Sequence, residues 1–162
     1  NNPRNKWQRK LAIPQGTIQP QLGTIMDIFP TLLSILNIKQ PDNAIFDGYD
    51  LTEQFKGKYN KNRPEKVLIH FPHKHNGSYY STYRNGDWKF IYHYNPSIPN
   101  LPSCELYNLR KDPFEKDNLF RMMPDMAEKM FDEMKKELES ENALYPEADG
   151  KIIRPIKNLK NL

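Results

Sequence analysis

The sequence predicts an α+β fold: a small four-stranded antiparallel sheet packed by a C-terminal helix, preceded by a separate helical segment. Three observations predict it. Asn85-Gly86 stands between two runs rich in aromatic and β-branched residues, and a short Asn-Gly link between such runs is a strong hairpin signal. Met126, Met130, Phe131, Met134 and Leu138 recur at three- and four-residue steps, which puts one apolar stripe on a helix. Near the N-terminus, "TIMDIFPTLLSILNI" carries a broad apolar face at the same period.

Each element follows in order. Residues 1–20 are polar and broken by Pro3, Pro14 and Pro20, so they read as an extended lead-in. A helix is expected over about 29–37, with Pro30 in its first turn and Asp27 or Phe29 near the cap. The stretch from Lys39 to Lys58 reads as loop, with a turn at Asp47-Gly48 and a short helical piece at Leu51–Phe55. Strands are expected at Lys66–Phe71, Tyr79–Arg84, Asp87–Tyr94 and Cys104–Leu109, with Asn85 and Gly86 as the link in the middle hairpin. Along the third, Trp88, Phe90, Tyr92 and Tyr94 share one face, and Lys89, Ile91 and His93 the other. The last helix begins near Pro124 and runs to about Ser140. The tail from Glu141 reads as irregular.

Composition bounds the function. The chain has 162 residues, 37% hydrophobic, 27% charged and 12% aromatic. That aromatic content argues for a packed core, since disordered chains are poor in aromatics. The formal net charge is +4, and many of the basic residues lie near the termini. A nucleic-acid binder concentrates its cations on one face, so no nucleic-acid partner is expected. No apolar run approaches the ~18 residues of a membrane helix, and no membrane partner is expected either. The opening "NNPRNKWQRK" is polar and lacks an initiator Met, which suggests a piece of a longer protein.

All four histidines lie within "LIHFPHKHNGSYYSTYRNGDWKFIYHY", three of them as His70, His73 and His75. With Cys104 they could number enough for zinc, but no Cys-x-x-Cys pair and no helical His-x-x-x-His is present. Cys104 has no helix N-terminus near it in sequence to activate it and reads as a small core residue. No Gly-x-Ser-x-Gly elbow or phosphate-binding glycine loop occurs. Paired carboxylates sit only in charged helical stretches. The aromatic run from Tyr79 to Tyr94 fits sheet packing or a carbohydrate-stacking surface.

Four stretches taken together resemble one family. "TIMDIFPTLLSILNI", "FDGYDLTEQFKG", "HFPHKHNGSYYSTYRNGDWKFIYHY" and "CELYNLRKDPFEKDNL" resemble, in the same order, segments of the type I sulfatases, the arylsulfatases and glycosaminoglycan sulfatases. The resemblance covers about Ile13 to Leu144. It implies an alkaline-phosphatase-like parent, with residues 1–62 ending its large domain and 63–162 forming the C-terminal subdomain. It implies a sulfuric ester hydrolase acting on a sulfated carbohydrate or aryl sulfate, with calcium and a formylglycine made from Cys or Ser in Cys/Ser-x-Pro-x-Arg. Cys104 is followed by Glu105 and Leu106, so it departs from that motif. No catalytic residue and no metal ligand is therefore expected in this chain, which alone should be inactive. The missing N-terminal catalytic domain would be its partner, and a secreted or periplasmic home is the family habit. The same resemblance places His73, Lys74 and His75 at the mouth of the substrate pocket, with Asn76, Tyr79 and Arg84 as secondary candidates. The alternative is a non-catalytic carbohydrate-binding or protein-interaction module.

Overall fold

The computed structural model describes residues 12–75, 78–94 and 99–159; of Lys74 and His75 it describes the backbone only. The chain divides into two compact units, Asn1–Glu65 and Lys66–Leu162.

In the first unit a 3-10 turn, Ile25–Asp27, leads directly into helix α1, Ile28–Leu36. Asp27 occupies the N-cap, and Pro30 falls in the first turn, where its missing N–H costs nothing. Asn37 ends the helix in the left-handed region at φ 54, a conformation Asn tolerates better than most residues. A one-turn helix α2, Thr52–Phe55, follows. Polar side chains hold this unit together. Gln21 clamps Asn60 at both ends, donating to its carbonyl at 2.8 Å and accepting its N–H at 2.9 Å. Buried Gln54 donates to the Leu22 carbonyl at 3.0 Å.

The second unit is a sheet of order β1-β2-β3-β4, all neighbours antiparallel. Its strands are β1 Lys66–His75, β2 Ser78–Asn85, β3 Trp88–His93 and β4 Cys104–Asn108. Helix α3, Pro124–Ser140, packs on one face. Phe90, Leu106, Met134 and Leu138 are fully buried there, beside Tyr83, Tyr92, Cys104, Met130 and Phe131. The Phe90 and Phe131 rings lie 5.9 Å apart, and those of Tyr92 and Phe131 5.4 Å, within the range where ring pairs attract. The alternation expected along β3 therefore holds, with Phe90, Tyr92 and Tyr94 in the core.

Three local expectations need correction. β1 runs four residues past Phe71, because pairing lapses after Phe71↔Tyr80 and resumes at His75↔Ser78. Pro72 lies in that lapse and has no N–H to give the ladder. The β2–β3 link is not Asn85-Gly86. Asn85 pairs with Trp88 inside the sheet, and its amide donates to Glu133 of α3 at 2.8 Å. The loop is Gly86-Asp87, with Gly86 at φ 57, the sign a type II′ loop needs at its first position. The tail is not wholly irregular either. β5 Glu147–Ala148 pairs with β6 Lys151–Ile152 across Asp149 at φ 52 and Gly150 at φ 71. Two positive φ values in an Asp-Gly pair mark a type I′ loop.

The loop after β4 closes one sheet edge. Asn118 accepts the Leu106 N–H at 3.1 Å and donates to the Cys104 carbonyl at 3.2 Å. Leu119 N–H adds a bond to the Leu106 carbonyl at 2.8 Å. An unpaired edge would otherwise invite further strands.

Candidate functional site

The expected rim lies where β1 and β2 meet. His73 sits in the irregular stretch of β1 and is exposed. The side chains of Lys74 and His75 lie outside the described residues, as does Asn76. Tyr79 packs against the core instead of facing a substrate, and its carbonyl accepts the Tyr94 N–H at 2.9 Å. Arg84 Nε donates to the Gly86 carbonyl at 3.1 Å, so this guanidinium tightens its own hairpin end.

The other two histidines face opposite sides of the sheet. His70 points into the core side, with Nδ1 2.7 Å from Ser81 Oγ and Nε2 2.7 Å from the Leu144 carbonyl. A carbonyl can only accept, so Nε2 carries the proton and Nδ1 accepts from Ser81. Ser81 is in turn 2.7 Å from the Tyr94 hydroxyl, and the chain Tyr94–Ser81–His70–Leu144 is satisfied at every step.

His93 lies on the open face. Its Nε2 is 2.8 Å from Glu105 Oε1 and its Nδ1 2.9 Å from Ser78 Oγ. Glu105 also accepts from the Tyr107 hydroxyl. The His93 hydrogen bond holds the Glu105 carboxyl below the usual carboxylate range, with burial opposing. Burial pushes the Tyr107 hydroxyl up, and Glu105 adds to that. Serine, histidine and carboxylate in a line invite comparison with a nucleophilic triad. Ser78, however, is 3% exposed and begins a strand. Its hydroxyl is engaged by the Tyr79 carbonyl and the His93 ring, and the line cross-braces β2, β3 and β4.

Next to this line the open face forms a shallow groove of about 380 Å³. Ile69, Thr82 and Ile91 form its floor, flanked by Phe71, Tyr80 and His93 on one side and Lys89 on the other. Lys89 is already bound to Glu115, at 2.8 and 2.6 Å from its two oxygens.

Cys104 is 1% exposed, and burial pushes its thiol up to about 12. A thiol held protonated is neither nucleophile nor metal ligand at neutral pH. Among the described residues, no three His, Cys, Asp or Glu side chains converge as a metal site would require.

The first unit holds a polar centre that the sequence reading treated only as a helix cap. Asp27 is fully buried and its carboxylate accepts four hydrogen bonds. These come from Thr24 N–H at 2.7 Å, Thr24 hydroxyl at 3.0 Å, Tyr49 N–H at 2.7 Å and Arg63 Nε at 3.1 Å. Arg63 is equally buried, and its other end donates to the Pro64 carbonyl at 2.7 Å. Thr31, one turn on, donates to the Asp27 carbonyl at 2.6 Å and accepts the Leu51 N–H at 2.8 Å. Gly48 makes this convergence possible, since a Cβ there would meet the Met26 carbonyl oxygen at 2.0 Å. An acid inside an apolar run, followed by Asp-Gly, was the available sequence signal. The partner Arg63 carried none.

Comparison with known proteins bears on these sites. The family model described as N-sulphoglucosamine sulphohydrolase, C-terminal, matches residues 6–143. N-acetylgalactosamine-6-sulfatase of Canis lupus familiaris is 40% identical over 52 residues, which is 32% of this chain and 10% of that protein. A candidate sulfatase from Bacteroides fragilis superposes with a TM-score of 0.57 at 21% identity, over 77% of this chain and 26% of its own. A protein solved in complex with its substrate D-glucosamine-2-N,6-O-disulfate gives 0.54 at 20%, over 72% of this chain and 24% of its own. The chain thus spans about a tenth of the curated relative and about a quarter of the solved ones. At these identities the superpositions establish the fold. Among the described residues, no helix is long and apolar enough to cross a membrane.

Proposed function

The chain belongs to the N-sulphoglucosamine sulphohydrolase C-terminal family, and we propose from that premise that the whole protein hydrolyses sulfate esters of a sulfated amino sugar. The family match over residues 6–143 carries the reading. The substrate class is supported by two relatives, one named for N-acetylgalactosamine 6-sulfate and one holding a sulfated glucosamine.

In this reading the chain supplies the C-terminal fold and part of the pocket rim. Calcium and formylglycine are expected in such a parent, and the described residues of this chain fit neither. Cys104 is buried and lacks the x-Pro-x-Arg context. Asp27 spends both carboxylate oxygens on N–H and O–H donors, which leaves no oxygen cluster for a hard cation. Both functions are assigned to the region upstream of Asn1. The apolar face of α1, with Ile28, Phe29, Leu32 and Leu36 about half exposed, is assigned to contact with that region. His73, Lys74 and His75 are assigned to the sugar side of the pocket, where imidazole and ammonium donors suit sulfate oxygens.

The test is sulfate release by the full-length parent, with calcium, from an aryl sulfate and from 2-N-, 4-O- and 6-O-sulfated hexosamines. Release from at least one hexosamine is expected. Binding of these sugars with no release from any substrate would favour a carbohydrate-binding module and overturn the reading.

A further inference from the structure

We infer that the tail segment Lys151, Arg154 and Lys157 is a cationic ridge that binds a sulfated glycan chain, separately from the pocket where sulfate is released. The choice of a sulfated glycan rests on the sulfatase reading above; the ridge itself rests on the tail's own geometry.

The tail "KIIRPIKNL" repeats every third residue. Ile153 and Ile156 pack against the core, and Leu159 is buried in it. Backbone bonds fix the same positions: Ile153 N–H donates to the Pro146 carbonyl at 2.8 Å, and Ile156 N–H to the Tyr92 hydroxyl at 3.2 Å. With every third residue pinned inward, Arg154 and Lys157 fall on one outer ridge, and Lys151 precedes them at the same step. All three are exposed. In extended chain, a step of three residues places successive cations at most about 9–10 Å apart.

These cations are unspent. Among the described residues, no carboxylate forms an ion pair with Lys151, Arg154 or Lys157, whereas the neighbouring Lys135 is paired with Asp132 at 2.8 Å. Glu147 stands opposite Ile152 in the β5–β6 ladder, so it shares that residue's face and not the face of Lys151. Asp149, in the loop between, pairs with none of the three. Arg154 is held in place without losing a donor: its guanidinium lies 4.6 Å from the centre of the Tyr145 ring. Tyr145 in turn lies against the rings of His70 and Tyr94, at 6.1 and 6.2 Å. Stacking fixes the plane of the guanidinium and leaves its N–H fork free for the oxygens of an anion.

The spacing selects the occupant. A single small anion could meet one of these cations, while a chain of repeating anions could meet all three. Duplex DNA carries one charge per about 1.7 Å, much denser than the ridge. A sulfated glycan spaces its anions by whole sugar rings, which suits cations set this far apart.

The test is binding of a heparin decasaccharide to the full-length parent at about 0.1 M salt, with excess sulfated disaccharide present to fill the pocket. The comparison is the triple variant Lys151→Gln, Arg154→Gln, Lys157→Gln. Loss of three ionic contacts should weaken binding about tenfold or more and flatten its salt dependence, with turnover of an aryl sulfate unchanged. Because Arg154 packs on Tyr145, the double variant Lys151→Gln, Lys157→Gln, which leaves that stack in place, is measured as well and should weaken binding about threefold or more. Equal binding by wild type and both variants overturns the inference. Ridge-dependent binding that is tighter for duplex DNA, or for vesicles containing phosphatidylserine, than for the decasaccharide makes the ridge a nucleic-acid or lipid surface, and either overturns it. An active parent that binds the decasaccharide equally well without the ridge defeats this inference alone. Ridge-dependent binding in a parent that releases no sulfate defeats the functional reading alone.

Discussion

Asp27 shows how one side chain can organise a unit. Its carboxylate joins the start of α1, the Gly48 turn and Arg63 through four donors, at 0% exposure. Removing one member of a buried pair strands the other, at about 3–5 kcal/mol. Asp27→Asn keeps the shape and removes the charge, so it should destabilise the chain by that amount in urea unfolding. A change below about 1 kcal/mol would mean that water reaches Arg63. Cys104 gives a pH signature. Its thiol lies near 12 in the fold against an ordinary value near 9. The neutral thiol is what the core accepts, so its contribution is complete below pH 9 and is lost as pH rises towards 12, at most about 4 kcal/mol in all. Cys104→Ala should flatten the decline in urea midpoint between pH 9 and 11; an unchanged slope would assign the decline to other groups, such as Tyr83, which burial also pushes up to about 12. His73 carries the rim assignment. In the full-length parent, His73→Ala should raise KM for a sulfated sugar about five- to tenfold with kcat within twofold, the mark of lost uniform binding. Unchanged steady-state kinetics would make His73 an ordinary surface residue.

Among the elements, the long and strongly periodic ones were legible in the sequence. The stripe on α3 and the alternation on β3 needed only a count of spacings, and both stand in the core as expected. What sequence misplaced were residues whose state depends on a partner far along the chain. Asn85 looked like half of a turn, and the Trp88 pairing together with Glu133 on α3 keeps it in the strand. The turn therefore rests on Gly86 alone at φ 57. No neighbour lies within 4 Å of a Cβ built there, so Gly86→Ala meets no clash and should cost only the left-handed backbone penalty, about 1–2 kcal/mol. Thermal unfolding of the variant checks this. A loss of 4 kcal/mol would mean that the loop is packed against something. Asp149-Gly150 was the reverse case: the turn signal was present in the sequence, but the two-residue strands beside it are too short to register as periodic.

At the scale of the whole molecule, the family was legible and the site only partly so. Four motifs in order carried the family, which the match over residues 6–143 establishes. The His93–Glu105–Tyr107 line was not readable, because it depends on the β3–β4 register, Ile91↔Glu105 and Tyr92↔Cys104, which spacing along one strand does not fix. The buried Asp27–Arg63 pair spans 36 positions of sequence and was hidden for the same reason. Neither cluster is built to attack a substrate: every polar group in them is matched within its own unit. The central claim is therefore one of dependence, that the chemistry of this protein lies outside these 162 residues. The most direct measurement is sulfate release, side by side, from the full-length parent and from the 162-residue chain, with calcium and the same sulfated sugars. The account predicts turnover by the parent and none above the uncatalysed rate by the chain. Turnover by the chain alone would contradict it, because a nucleophile would then have to exist among residues here assigned to structure.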